Sequence, residues 1–254
     1  MIVSTRQESP LARLPDWYRS PLGQEVARLE CACVQGLLNT TFGYHLVQIG
    51  ATEVFRDVLA ASRIRHRVLM PFESAPGSEG SRVIGSVQRL PFASDSIDAV
   101  LLPHTLDFAS DPQGVLEEVE RILIPEGRVV IVGFNALSSW GVRRLLWRSK
   151  GRMPWCGRFH RPGQVRDWLS AQGCDLECCE YRMFRPPLAS LQGPRCGGLD
   201  LMGRRFWPIL GGIYVMRAVK RVATVTPLRP RMAQASALLS GRAVRPTTRG
   251  TGHV

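Results

Sequence analysis

Two side chains able to handle a proton stand three residues apart in Pro103-His104-Thr105-Leu106-Asp107-Phe108. An imidazole titrates near neutrality, so His104 is a candidate general base. Asp107 would orient it if the stretch turns helically, because residues three apart then share a side. A histidine that only hydrogen-bonds its own loop fits the same spacing, and both readings stand. A second group, Gly50-Ala51-Thr52, has a different chemistry. A glycine followed by a small residue lets backbone come close to a ligand, and Thr52 at a helix start adds donors.

Both groups need a scaffold that presents them at one edge. Residues 97–102 (IDAVLL) form a nearly continuous apolar run, as in a strand covered on both faces. Asp111-Pro112 then opens a helix, with Asp as cap and Pro at the first helical position. Val115, Leu116, Val119, Ile122 and Leu123 lie on one face of that helix, and Glu117, Glu118 and Glu120 lie largely on the other. Pro125-Glu126-Gly127 ends it, and residues 128–134 (RVVIVGF) form a second apolar strand. Strand, helix and strand at this spacing make a crossover of a parallel sheet, whose ligands sit at the carboxyl ends of the strands. Upstream, a helix is expected over residues 21–38, a strand over 45–49, a helix over 52–62, a strand over 67–70 and a weak strand over 82–84. Downstream, a helix over 162–172 and strands over 175–183 and 212–219 enclose a Pro- and Gly-rich insertion at 185–208.

The residues Leu90-Pro91-Phe92, Ser96-Ile97-Asp98, Asp111-Pro112, Arg121-Ile122-Leu123 and Pro125-Glu126-Gly127 occur in one order and spacing. In that order they resemble the class I S-adenosylmethionine-dependent methyltransferases, type 11 branch. That pattern runs Leu-Pro-Phe, Ser-Phe-Asp, acidic-Pro, then Arg-x-Leu-x-Pro-Gly-Gly. The resemblance implies an α/β, Rossmann-like fold: a seven-stranded, mostly parallel sheet with helices on both faces. It implies S-adenosyl-L-methionine as cofactor and methyl transfer to an unidentified acceptor, taken as a small molecule. The alternative is a catalytically inactive methyltransferase-like binding or scaffold protein. By the same resemblance Gly50, Ala51 and Thr52 would approach the donor, though only one glycine stands where the pattern has three. Glu73 would reach the ribose in place of an acid at the end of the second strand, where Met70-Pro71 stands. Ser86 replaces the acid of the Leu-Pro-Phe loop, Val87 and Leu90 would wall the adenine, and Pro103 would line the crevice. His104 and Asp107 would face the transferred methyl. Methyl transfer needs mainly in-line positioning, so a base is not compulsory. Asn135 ends a strand beside them and either points into the crevice or serves a turn.

Charge divides the chain. Residues 1–181 hold twenty basic and twenty acidic side chains, whereas residues 182–254 hold thirteen basic ones against Asp200 alone. A neutral core followed by a basic end can attract anionic lipid or nucleic acid. The 31 arginines against Lys150 and Lys220 equally reflect a compositional bias. The segment from Trp140 to Arg152 interleaves Trp140, Leu145, Leu146 and Trp147 with five cations, so it is a second place for an anionic partner, or a solvated helix with a buried Trp. No run of 18 or more apolar residues occurs, so no transmembrane segment is expected. Seven scattered cysteines without paired CxxC motifs point to reduced thiols and no metal site, and with no secretory pattern at the start a cytoplasmic location is expected. The domain plan is an N-terminal extension and helix at 1–42, a methyltransferase-like domain at 43–222 and a basic, disordered tail at 223–254.

Overall fold

Apolar runs bounded by glycine and proline become one six-stranded sheet among the described residues. The computed structural model describes residues 13–51, 53–71, 87, 89–147, 152–187 and 197–221. The strands are β1 (His45–Ile49), β2 (His66–Met70), β3 (Ile97–Pro103), β4 (Leu123–Phe134), β5 (Cys174–Arg182) and β6 (Ile213–Lys220), in the order β2-β1-β3-β4-β6-β5. β2, β1, β3 and β4 run parallel, and β6 enters antiparallel between β4 and β5. The seventh strand expected at 82–84 lies outside the described residues, as does the tail at 223–254. The α/β architecture agrees with expectation, and six of the seven expected strands lie among the described residues.

Eight helices are described: α1 (Leu14–Tyr18), α2 (Pro21–Leu38), α3 (Arg56–Ala60), α4 (Thr105–Phe108), α5 (Pro112–Ile122), α6 (Ser139–Trp147), α7 (Pro162–Ala171) and α8 (Gly197–Phe206). Ser20 starts α2 by accepting from the Gly23 amide, with Pro21 at the first helical position. Asp111 does the same for α5 through Gly114. Along β1, alternate residues serve opposite faces. Val47 and Ile49 join a core with Met70, Leu102 and the apolar face of α5. Leu46 joins a second core with Val34 and Leu38 of α2 and Val58 of α3. α8 lies inside the stretch expected to be an irregular insertion, and β4 begins earlier than expected because Pro125–Gly127 is a bulge within it.

The motif residues explain one another physically. Arg121 on α5 donates to Phe92 O (3.0 Å) and Leu90 O (3.0 Å) and pairs with Glu118 (2.9 Å). Glu118 in turn accepts from the Leu90 amide at 2.8 Å. The arginine of the Arg-x-Leu motif is thus the clamp on the Leu-Pro-Phe loop. Asp98 accepts from the amides of Tyr44 (3.1 Å) and His45 (2.9 Å) and so ties the start of β1 to β3. Arg121→Ala removes the loop clamp. The side chain is a third exposed, which screens its charge, so we expect a loss of about 1–2 kcal/mol in urea unfolding. Faster amide exchange should appear at residues 90–92; unaltered exchange there would show that the loop holds itself.

Candidate functional site

Three helices and two strands meet at the carboxyl end of β3. Pro103 closes the strand opposite Val132, and His104 follows with φ near +55°, in the left-handed region that few bulky residues adopt. Its amide donates to Val132 O at 2.8 Å, and its carbonyl accepts from the Asp107 amide at 3.1 Å. That reversal starts α4 and brings Asp107 back over the ring, so Oδ2 lies 2.9 Å from His104 Nδ1. From the other side Glu30 of α2 places Oε1 2.9 Å from Nε2. Tyr18 of α1 donates to the second Glu30 oxygen at 2.7 Å, and the Phe134 amide donates to Asp107 Oδ2 at 3.0 Å. His104 and Glu30 are fully buried and Asp107 is 1% exposed. The Phe134 ring stacks on the imidazole at 4.1 Å.

This surrounding decides the protonation of the ring. Burial alone disfavours the imidazolium, but the Glu30 charge, the hydrogen bonds that the ring donates to both carboxylates and the Asp107 charge outweigh it, raising the His104 pKa to about 9. At neutral pH the ring is charged and donates from both nitrogens. No lone pair is left to take a proton, and no face of the ring meets solvent. Sequence spacing brought His104 and Asp107 together as expected, but the general-base role assigned to His104 does not suit this geometry. Its two nitrogens are already engaged by carboxylates. The other reading, a hydrogen-bonding residue of its own loop, fits better and extends to α2 through Glu30. Glu30 was missed. The available signal was its place on the buried stripe of α2 with Val26, Cys33, Val34 and Leu37, since an unpaired carboxylate is almost never buried there.

A second constellation surrounds the turn after β1. Gly50 takes φ near +114°, where a Cβ is strained, and its amide donates to Met70 O at 3.0 Å. Ala51 is buried and its carbonyl accepts from Gln48 Nε2 at 2.6 Å. Gln48 is fully buried, and its Oε1 has no hydrogen-bond partner. A cavity of about 490 Å³ opens between α1, α2 and the residues after this turn, lined by Tyr18, Arg19, Arg28, Cys31, Glu53 and Val54 among others. That volume suits a small ligand. Val87 and Leu90 are buried and pack in one core with Ile49, Met70 and Leu106. Thr52, Glu73 and Ser86 lie outside the described residues. Pro103 is placed at the end of β3, between this turn and the His104 network, and Thr105 Oγ1 donates to Ile49 O at 2.5 Å to join the two.

Asn135 does not enter the crevice. Its Nδ2 donates to the carbonyls of Ile209 (2.8 Å) and Gly211 (2.9 Å), and its Oδ1 accepts from the Leu137 amide. Nor does the root of the basic helix face solvent. Trp140 is fully buried against Phe134 and Trp155, with Nε1 donating to Arg185 O at 3.1 Å. Arg143 and Arg144 fold back over the rings of Trp155 and Phe159 at 5.4 and 5.5 Å. No helix among the described residues is long and apolar enough to cross a membrane.

Residues 29–131 match a family model described as "Methyltransferase domain". Over 131 residues the chain is 35% identical to the uncharacterized protein YafS of Escherichia coli (strain K12), covering 51% of this chain and 52% of that one. It is 37% identical over 144 residues to a demethylmenaquinone methyltransferase of Mycolicibacterium paratuberculosis, covering 55% and 57% of the two chains. The chain thus spans little more than half the length of these relatives. A solved SAM-dependent methyltransferase of Thermotoga maritima superposes with a TM-score of 0.56 at 18% identity, over 83% of this chain and 98% of that one. That likeness concerns the fold.

Proposed function

From a chain that carries a methyltransferase domain of the type 11 branch on a class I methyltransferase fold, we propose that the turn after β1 holds S-adenosylmethionine and that the protein transfers its methyl group to a small-molecule acceptor. Bound there, the donor supplies an electrophilic methyl on a sulfonium. The observation that carries this reading is the fully buried, unpartnered Gln48 Oε1 beside the Gly50-Ala51 turn. A buried acceptor without a donor costs about 1–3 kcal/mol, a deficit that a ligand ammonium or hydroxyl relieves. Gly50 and Ala51 allow close backbone approach. Arg19, Arg28 and Glu53 offer both signs of charge to a zwitterionic end. Glu30, His104 and Asp107 position the end of β3 rather than touch a reacting atom. The methyltransferase named among the relatives supports the same reaction class.

A second reading, a donor-free binding or scaffold protein, is favoured by one observation. The carboxyl ends of β3 and β4, where an acceptor would meet the methyl, are filled by the buried His104 network and the rings of Phe134, Trp140 and Phe159. Calorimetry with S-adenosylmethionine and S-adenosylhomocysteine separates the two. Under the first reading both bind in the micromolar range, and Gln48→Leu weakens binding at least tenfold, about 1.4 kcal/mol. No heat at millimolar ligand would establish the second reading instead.

A further inference from the structure

Ten of the twelve large apolar side chains exposed among the described residues belong to two short stretches. Leu137, Val142, Leu145 and Leu146 lie on or before α6. Leu201, Met202, Phe206, Trp207, Ile209 and Leu210 lie on α8 and the 3-10 turn Pro208–Leu210 that follows it. Leu145 and Leu201 are more than 70% exposed. Single exposed apolar residues need no explanation, but two clusters of this size do.

The two stretches are rooted side by side. Asn135, which precedes α6, is bonded to the carbonyls of Ile209 and Gly211. Trp140 of α6 packs so closely on Gly212 that a Cβ there would stand 2.5 Å from its ring. On its inner side α8 is held by Gly203 against Phe184 and by Asp200, which pairs with Arg185 at 2.7 Å and accepts from the Phe184 amide at 2.9 Å. The buried Gly203 therefore sets which side of α8 faces the protein. Leu201, Met202, Arg204, Arg205 and Phe206 are left facing away.

Charge selects the occupant. Residues 127–166 contain no carboxylate, and neither do residues 201–254. Arg204 and Arg205 are exposed among the apolar side chains of α8, whereas Arg143 and Arg144 of α6 are turned inward over Trp155 and Phe159. Met202 and Phe206 stand one turn apart, and Trp207 follows at the helix end. Apolar side chains able to enter the acyl boundary, arginines able to reach phosphates, a tryptophan at the edge and a single acid, Asp200, drawn inward onto Arg185 are the features of a helix lying in a bilayer interface.

We propose that α8 and the turn after it, with the exposed side of α6 beside them, dock this protein on an anionic lipid bilayer. Arg204 and Arg205 meet headgroup phosphates, and Met202, Phe206, Trp207 and Ile209 enter the acyl boundary. The anchor is α8, and the buried root of α6 supports it. This docking does not depend on donor binding.

Flotation of the full-length chain with vesicles tests it. Vesicles of phosphatidylcholine with one third phosphatidylglycerol should carry the protein at least tenfold better than phosphatidylcholine alone, and high salt should release it. Arg204→Ala with Arg205→Ala, and separately Phe206→Ser with Trp207→Ser, should each lower binding at least tenfold with circular dichroism unchanged, since all four side chains are exposed. Brominated lipid should quench tryptophan emission, and Trp207→Phe should abolish most of that quenching. Wild-type binding by both double variants would assign any lipid affinity to the basic end of the chain and overturn the proposal. So would an absence of anionic preference, or a dimer in lipid-free solution that Phe206→Ser with Trp207→Ser dissociates.

Discussion

Glu30→Ala is expected to destabilise the protein by about 3–5 kcal/mol, the range seen when one partner of a buried ion pair is removed. Three losses coincide at that position. His104 Nε2–H loses its acceptor, the Tyr18 hydroxyl loses the oxygen it donates to, and the imidazolium loses the carboxylate whose charge contributes most to keeping it protonated. A chain of this size should melt roughly 10 °C lower or more for such a change. Glu30→Gln keeps the shape and one carbonyl oxygen but not the charge, so it should fall between wild type and Glu30→Ala. A change below about 1 kcal/mol for Glu30→Ala would mean that water or rearranged side chains satisfy both donors, and that the network does not hold α1 and α2 to the sheet.

The parallel half of the sheet was legible because its signals are local. The run at 97–102, the Asp111-Pro112 cap and the period of α5 each lie within a dozen residues, and each element formed where it was expected. The short motifs carried more than their periodicity, since Arg121 and the carbonyls of Leu90 and Phe92 are bonded across some thirty residues. One departure has a visible consequence: Glu126 occupies φ near +63° where the family pattern has glycine, and its carboxylate pairs with Arg221. α8 was missed because glycine and proline frame it and its apolar residues do not face a core, so amphipathic periodicity had no buried stripe to report. The site was read only halfway. A three-residue spacing announced His104 with Asp107, but Glu30 comes from 74 positions away, and no local pattern reveals a tertiary partner. That partner changes the chemistry, turning a candidate base into a fixed cation.

The fixed cation has a pH signature. His104 is raised from 6.5 to about 9 in the folded protein, mainly by Glu30 once the opposing effect of burial is overcome. A base whose folded pKa exceeds its unfolded value stabilises fully below the unfolded pKa and loses that stabilisation as pH rises through the folded one. The contribution is therefore complete near pH 6 and gone above about pH 9, with a total of about 3 kcal/mol at 1.36 kcal/mol per unit. The buried thiols do not mimic this. Burial pushes Cys31 up to about 12 and Cys33 and Cys174 up to about 11, so their effect begins only where an unfolded thiol ionises, near pH 8.5. His160 acts with the opposite sign on the other flank. Burial lowers its pKa, so its neutral form favours the fold as pH rises toward 6.5. Stability should peak near pH 6.5 and decline by about 2 kcal/mol by pH 8.5. Urea unfolding at half-unit steps reads the slope directly. In His104→Asn the decline between pH 6.5 and 8.5 should vanish although the protein is weaker throughout. A wild-type slope in that variant would move the titration elsewhere and leave His104 neutral in the fold, free again to accept a proton.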